Sequence, residues 1–309
     1  MSSPSNITQM SLPSDVFICI SHRVMKETLI LLIITCCVGS GQSTISTINR
    51  YGYSTNSGWI DFRPSATDGV IVGEFFLSGK AYAASFGWID LGDGSPVNGH
   101  TYSNTSAADC GVNLSSDGRL NGSAYSANCG WITFEQAQGQ PRIDFLTGKL
   151  IGFAYSGNLG WISLDTTVSD LDASTISSPD NDLDGIADAW EMFYFSNLTT
   201  ATPTTDTEGD GQSDVAEFNS GTDPKDSASR FRLISYAYSP THLSATVSFT
   251  TSSNRLYRIE HDNDLAGAWT NSSLGTFAPD AGPQTFKTIS LPGTPARFIR
   301  VAAIRPLQP

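Results

Sequence analysis

Two stretches of the chain space acidic residues in a way that could hold a hard cation. In "DNDLDGIADAWE", Asp180, Asp182, Asp184, Asp188 and Glu191 take positions 1, 3, 5, 9 and 12 of a twelve-residue loop, with Gly185 at position 6. "DTEGDGQSDVAE" repeats the order 26 residues later, with Asp206, Glu208, Asp210, Asp214 and Glu217 around Gly211. Alternate carboxylates on a tight loop converge on one point, glycine permits the bend, and an acid at position 12 can close the shell from the start of a helix. Position 7 supplies a backbone carbonyl, here that of Ile186 or Gln212. A plain acidic linker, kept soluble by charge, is the alternative; it needs neither the glycines nor the repeat. Without a cation these carboxylates repel, so folding and ion binding are expected to be coupled.

The elements that must position the loops are short. "ADAWEMFYF" and "SDVAEFNSG" predict a helix leaving each loop, with Trp190, Phe193 and Phe218 available to pack together. The run "DNDLDGIADAWEMFYF" followed by "TEGDGQSDVAEFNSGTDPKDSAS" resembles the bacterial thrombospondin type 3 repeat over about 55 residues. The resemblance implies Ca²⁺ held by Asp180, Asp182, Asp184, Asp188 and Glu191 in one loop, and by Asp206, Glu208, Asp210, Asp214 and Glu217 in the other. Glu208 replaces the more usual Asp, and position 8 carries Ala187 and Ser213 where an EF-hand has a large apolar residue. Such loops are expected to be extracellular structural sites with affinities of about 10⁻⁴ to 10⁻³ M.

Upstream, "GYSTNSGWIDF", "AYAASFGWIDL", "AYSANCGWITF" and "AYSGNLGWISL" are four copies of one unit. Their glycines at 58, 87, 130 and 160 are spaced 29, 43 and 30 apart, which puts an insertion of roughly 13 residues before the third copy. A period of this size predicts a repeat architecture of strand, loop and second strand. Period-two alternation places Ile132 and Phe134 on the buried face and Trp131 on the wetter one, beside Tyr125 across the hairpin. Tyr53 and Trp59, Tyr82 and Trp88, and Tyr155 and Trp161 pair in the same way. These aromatic pairs are expected to clamp each hairpin and pack against the next unit. The alternative is ligand binding by an exposed aromatic row, with Tyr82, Trp88, Tyr125, Trp131, Tyr155 and Trp161 stacking on sugar rings or a partner surface. The units also resemble Gly-Trp-Ile repeats of exported bacterial proteins, which implies location rather than activity.

The formal charge of -13 sits mostly in residues 180–226, with twelve Asp/Glu and one Lys, whereas residues 227–309 carry eight Lys/Arg and four Asp/Glu. That distribution argues against nucleic acid and for cations. "LILLIITCCV" at 29–38, after Lys26 and before "GSG", predicts a secretory signal cleaved near 40–42, too short to span a bilayer, with Met25 the expected start. Lipidation at Cys36 or Cys37 is the lesser alternative, because Thr35 stands where a lipobox wants a small residue. Cleavage removes Cys19, Cys36 and Cys37 and leaves Cys110 and Cys129, read as one disulfide rather than a reactive pair. Residues 227–309 alternate as five or six strands of a small sandwich, with Trp269 in its core and Arg258, Arg297, Arg300 and Arg305 as a solvated face or a dock for the acidic module.

Catalysis is not expected. His22, His100, His242 and His261 lack triad neighbours, and the acids after Gly-Trp-Ile, Asp61 and Asp90, become Thr133 and Ser163 in later copies. The sequence therefore predicts a mainly β protein. It comprises an export segment (1–42), a β-hairpin repeat domain (44–168), a calcium-binding loop-helix module of thrombospondin type 3 or EF-hand-like loops (169–226), and a small C-terminal β-sandwich (227–309). The expected role is structural or adhesive, at the cell surface or in the extracellular matrix. Calcium and a cell-surface polysaccharide or protein are the expected partners, with no membrane span after cleavage, and carbohydrate binding is the alternative role.

Overall fold

The computed structural model describes residues 42–65, 67–165, 170–239, 243–262, 269–291 and 298–308. The export segment with Met25, Cys19, Cys36 and Cys37, together with His22, His242 and Arg297, lies outside the described residues. The protein is mainly β. Among the described residues no helix is long and apolar enough to cross a membrane.

The first unit forms β1 (Ile45–Ser54), β2 (Gly58–Asp61) and β3 (Val70–Val72). The second forms β4 (Leu77–Ala83), β5 (Gly87–Asp90) and β6 (Val112–Leu114). The third forms β7 (Leu120–Ser126), β8 (Gly130–Thr133), β9 (Arg142–Ile143) and β10 (Leu150–Ile151). The fourth forms β11 (Phe153–Ser156), β12 (Gly160–Ser163) and β13 (Leu171–Ala173). Each copy is a hairpin because its Gly-Trp-Ile glycine takes the left-handed conformation that ends a three-residue turn, with φ from +69° to +90° at Gly58, Gly87, Gly130 and Gly160. In every hairpin the Tyr lies opposite the Trp.

The hairpins also pair with one another in one repeated register. Tyr82 faces Asp61, Tyr125 faces Asp90, Tyr155 faces Thr133, and Tyr53 of the first unit faces Ser163 of the last. The last pairing closes an eight-stranded antiparallel barrel. Shorter pairings extend its wall, β3 on β4, β6 on β7, β9 on β10 and β13 on the start of β1. Eight strands leave an interior that side chains alone can fill. Ile60, Ile89, Ile132 and Ile162 point inward from the Gly-Trp-Ile strands, with Phe62, Leu91, Phe134 and Leu164 two residues on and the small Ala124 and Ala154 opposite. All of them are buried, and the Trp face is outside.

The four turns bind one another in a cycle at one end of the barrel. Asn56 Nδ2 donates to the Leu159 carbonyl (3.2 Å), Ser85 Oγ to Ser57 (2.7 Å), Asn128 Nδ2 to Phe86 (2.7 Å) and Asn158 Nδ2 to Cys129 (2.9 Å). These four donors, three Asn and one Ser, occupy the same place in each copy, two residues before the Gly-Trp-Ile glycine. Replacing Asn128 and Asn158 together by Ala is expected to cost about 2 kcal/mol; chemical denaturation measures it.

The Cys110–Cys129 disulfide does not form, and both thiols are free. Cys129 holds the copy position of Phe86 and Leu159, inside the barrel core and 3% exposed. The Cys110 sulfur lies on the outer side against Asn104 Oδ1 (3.2 Å) and the Ser123 carbonyl (3.5 Å). Ser123 is three rungs along the hairpin from the Ser126–Gly130 rung beside Cys129. Three rungs are about 10 Å at the strand rise, beyond what a disulfide spans.

After the barrel come α1 (Asp188–Phe195) and α2 (Asp214–Ser220), then β14 (Leu233–Tyr238), β15 (Ser244–Thr250), β16 (Leu256–Asp262), β17 (Thr270–Phe277), β18 (Gln284–Ser290) and β19 (Phe298–Ile304). The last six strands make two three-stranded antiparallel sheets, β14-β15-β18 and β17-β16-β19, around one core of Val247, Phe249, Tyr257, Ile259 and Ile289. Trp269 is not in that core. It is half-buried, with the Arg300 guanidinium 4.3 Å from its ring centroid. A cation over an indole face is a favourable contact that a buried Trp would forgo.

Candidate metal centre and an outward aromatic belt

Each acidic loop turns because its first carboxylate binds the backbone ahead of it. Asp180 accepts the N–H groups of Asp184 (3.2 Å) and Gly185 (2.9 Å); Asp206 accepts those of Gly209 (2.8 Å), Asp210 (3.1 Å) and Gly211 (2.9 Å). The fifth position accepts from the seventh, Asp184 from Ile186 N–H and Asp210 from Gln212 N–H. The helix then starts, which sets positions 9 and 12 in its first turn and aims both carboxylates back at the loop.

The five acids of each loop converge. In the first, carboxylate oxygens of Asp180, Asp182 and Asp188 lie within 4.8 Å of one another, as do those of Asp182, Asp184 and Glu191. In the second, Asp206, Glu208 and Asp210 form one such group and Glu208, Asp214 and Glu217 the other. Asp182 and Glu208 are the members shared by the two groups of their loops.

Glu191 and Glu217 are fully buried. Neither oxygen of Glu191, neither oxygen of Glu208, Asp184 Oδ2 nor Glu217 Oε2 has a hydrogen-bond partner among the described residues. Burial, reinforced by Asp182, Asp184, Asp188 and Asp180, pushes the Glu191 carboxyl up to about 8. Burial also pushes Glu217 up to about 8, its bond from Thr222 opposing and Glu208 and Asp210 adding to the rise. Asp184 and Glu208 are raised as well, chiefly by burial. Dry carboxylate oxygens without donors are costly unless protonated or paired with a cation, and an all-oxygen set fits a hard divalent ion.

Other residues hold this set in place. Asn181 donates to Asp188, and Thr205 and Thr207 donate to Asp214 (2.5 and 3.0 Å). Nothing in their spacing marks them, because hydroxyl and amide neighbours carry no pattern of their own. Arg230 Nε lies 3.1 Å from Asp210 Oδ2, out of hydrogen-bond alignment. Trp190 meets Phe218 edge to face at 5.6 Å, but Phe193 turns away and stacks on Phe75 of the barrel at 5.2 Å. The arginines divide too. Arg258 and Arg300 both pair with the buried Glu260 (2.7 Å each), while Arg305 reaches Glu74 (2.6 Å) and lies over the Phe218 ring at 4.2 Å. Arg305 thus ties α2, which carries Asp214 and Glu217, to the barrel.

The aromatic pairs stand on the outer wall instead of being covered by the next unit. Ring centroids are 5.0 Å apart in Tyr82–Trp88, 4.9 Å in Tyr125–Trp131 and 5.0 Å in Tyr155–Trp161. Trp88, Trp131 and Trp161 are 47%, 49% and 40% exposed. Closure explains this: each hairpin has neighbours on its two edges, not on its face, so the outer face is left to solvent. Among the described residues no ring contact joins one pair to the next.

No protein family, curated protein or solved structure matches this chain.

Proposed function

We propose that this chain is an exported, calcium-stabilised repeat protein of the cell surface or extracellular matrix with a structural or adhesive role. On this reading the repeats are the scaffold, the two EF-hand-like loops bind Ca²⁺, and the C-terminal strands form a β-sandwich docked on α2. The observation that carries it is the pair of fully buried glutamates, Glu191 and Glu217, closing two converging carboxylate loops with both oxygens of Glu191 and Oε2 of Glu217 meeting no donor among the described residues. Asp180, Asp182, Asp184, Asp188 and Glu191 would hold one ion with the Ile186 carbonyl, and Asp206, Glu208, Asp210, Asp214 and Glu217 the other with that of Gln212. Bound Ca²⁺ neutralises the crowded carboxylates and lets the loops and both helices stay folded.

Calorimetric titration of the metal-free full chain is expected to show two Ca²⁺ ions, with dissociation constants of about 10⁻⁴ to 10⁻³ M. Glu191→Gln keeps the side chain's shape but removes one charge and one bidentate ligand, and is expected to leave only one measurable ion. Titration heats at the level of dilution, with melting indifferent to chelator, would remove the reading.

Exposure of Trp88, Trp131 and Trp161 favours a second reading, carbohydrate binding by the outward aromatics. A ring face open to water is what a sugar can stack on, and a covered one is not.

A further inference from the structure

The insertion before the third copy has no counterpart in the other units, and it builds a wall beside one aromatic pair. Residues 92–110 leave β5 and are pinned back on the barrel. Tyr102 is 3% exposed, its hydroxyl accepts Gly94 N–H (2.7 Å), and its backbone exchanges two bonds with the Asn113 amide (2.8 and 2.9 Å). Asp109 accepts the N–H groups of Val97 and Ser103. On its far side the insertion rests on α1, where His100 meets Phe193 at 5.1 Å. Between this wall and the third hairpin lies a cleft of about 580 Å³ bounded by Tyr125, Trp131, Asp90, Asp93, Ala107 and Cys110. Small-molecule sites typically enclose roughly 300–1,000 Å³.

We propose that this cleft binds a pyranose sugar that is uncharged or carries an amino group, an inference that rests on the second reading above and assigns it one place. The C–H face of a pyranose is electropositive and matches the negative face of Trp131 or Tyr125. Asp90 and Asp93 each accept one backbone N–H, from Gly92 (3.0 Å) and Ser95 (2.9 Å), which leaves oxygens for sugar hydroxyls or an ammonium to donate to. Lys80 lies 3.8 Å from Asp90 and does not line the cleft. Two carboxylates, with no cation among the described residues of the lining, disfavour uronic acids and other anionic sugars. The Cys110 thiol on the lining is held up by burial, then by Asp109 and Asp90, and is a neutral part of the wall.

The test is titration of the calcium-loaded full chain with glucose, glucosamine, N-acetylglucosamine and galacturonate oligomers, each β-1,4- or α-1,4-linked as it occurs. At least one of the first three is expected to bind and the galacturonate oligomer is not. Trp131→Ala is expected to weaken binding at least tenfold and Asp93→Asn about fivefold, while Trp59→Ala, on the first hairpin, leaves it within twofold. Asp93 sits on an exposed turn, so its variant reports on the cleft even if Trp131→Ala is poorly folded. Bound sugar is also expected to slow methanethiosulfonate labelling of Cys110. Binding that survives Trp131→Ala and Asp93→Asn but is lost in a Trp88→Ala/Trp161→Ala variant would overturn the cleft and leave the carbohydrate reading standing. No binding to any oligomer would overturn both. Tetramethylammonium slowing the labelling of Cys110 while none of the oligomers binds would replace the proposal with a cation cage.

Discussion

Stripping Ca²⁺ from the full chain at pH 8 is expected to lower its thermal midpoint by about 10–20 °C. An ion present at a hundred times its dissociation constant stabilises by about 2.7 kcal/mol, two ions by about 5 kcal/mol, and each kcal/mol shifts a chain of this size by about 2–4 °C. The pH dependence gives the result its signature. Glu191 and Glu217 hold protons up to about 8 in the folded, metal-free chain, against an ordinary value of 4.5. Proton binding therefore favours the folded state. That contribution is complete below the ordinary value and is lost as pH rises through about 8. The metal-free protein should melt higher at pH 5.5 than at pH 8. With saturating Ca²⁺ the order should reverse, because the ion requires the deprotonated carboxylates. Differential scanning calorimetry at the two pH values, with and without chelator, reads both slopes. Parallel slopes would mean that these glutamates do not face an ion.

Gly122→Ala is expected to cost about 2–4 kcal/mol, from a left-handed backbone and an overpacked wall together. Gly122 has φ +91°, and a Cβ there would stand 2.3 Å from the Gly111 carbonyl oxygen, a backbone atom that cannot swing aside. The contact recurs through the barrel, at Gly79 against Gly69 (2.2 Å) and Gly152 against Gly139 (2.5 Å). These glycines let one strand bend from the main barrel into the extension of its wall while another chain segment crosses at close range. The first unit has Arg50 in that place, and there β1 runs on to pair with β13 through a register shift between Ile45 and Arg50. Gly157→Ala is the control. Nothing lies within 4 Å of its Cβ and its φ is not positive, so it should change stability by no more than about 0.5 kcal/mol. Urea unfolding of both variants decides it, and equal midpoints would show that the wall yields at Gly122.

Much of the candidate metal centre was legible in the chain, because its ligands are local. Twelve consecutive residues hold all five carboxylates of a loop, and alternate spacing with one glycine defines their convergence before any tertiary contact forms. Legibility ended at the neighbours that tune the site. Asn181, Thr205 and Thr207 orient Asp188 and Asp214, and the burial of Glu191 and Glu217 depends on Ile186, Trp190 and Phe218 meeting across two helices. The Cys110–Cys129 expectation failed for a related reason. An even cysteine count carries no information on which side of a sheet each sulfur lies, although the copy alignment already placed Cys129 with the apolar Phe86 and Leu159.

By itself the sequence determined the hairpins, their Tyr–Trp rungs and the inward Ile face, since turn glycines and period-two alternation are properties of neighbours along the chain. Only the tertiary structure decided that four hairpins close into a barrel. Closure depends on Tyr53 pairing with Ser163 across more than a hundred residues, and a linear repeat would have the same local pattern with its ends left open. Closure in turn decided that Trp88, Trp131 and Trp161 face solvent, that Asn56, Ser85, Asn128 and Asn158 form a ring, and that one insertion converts one of four equivalent aromatic pairs into the floor of a cleft.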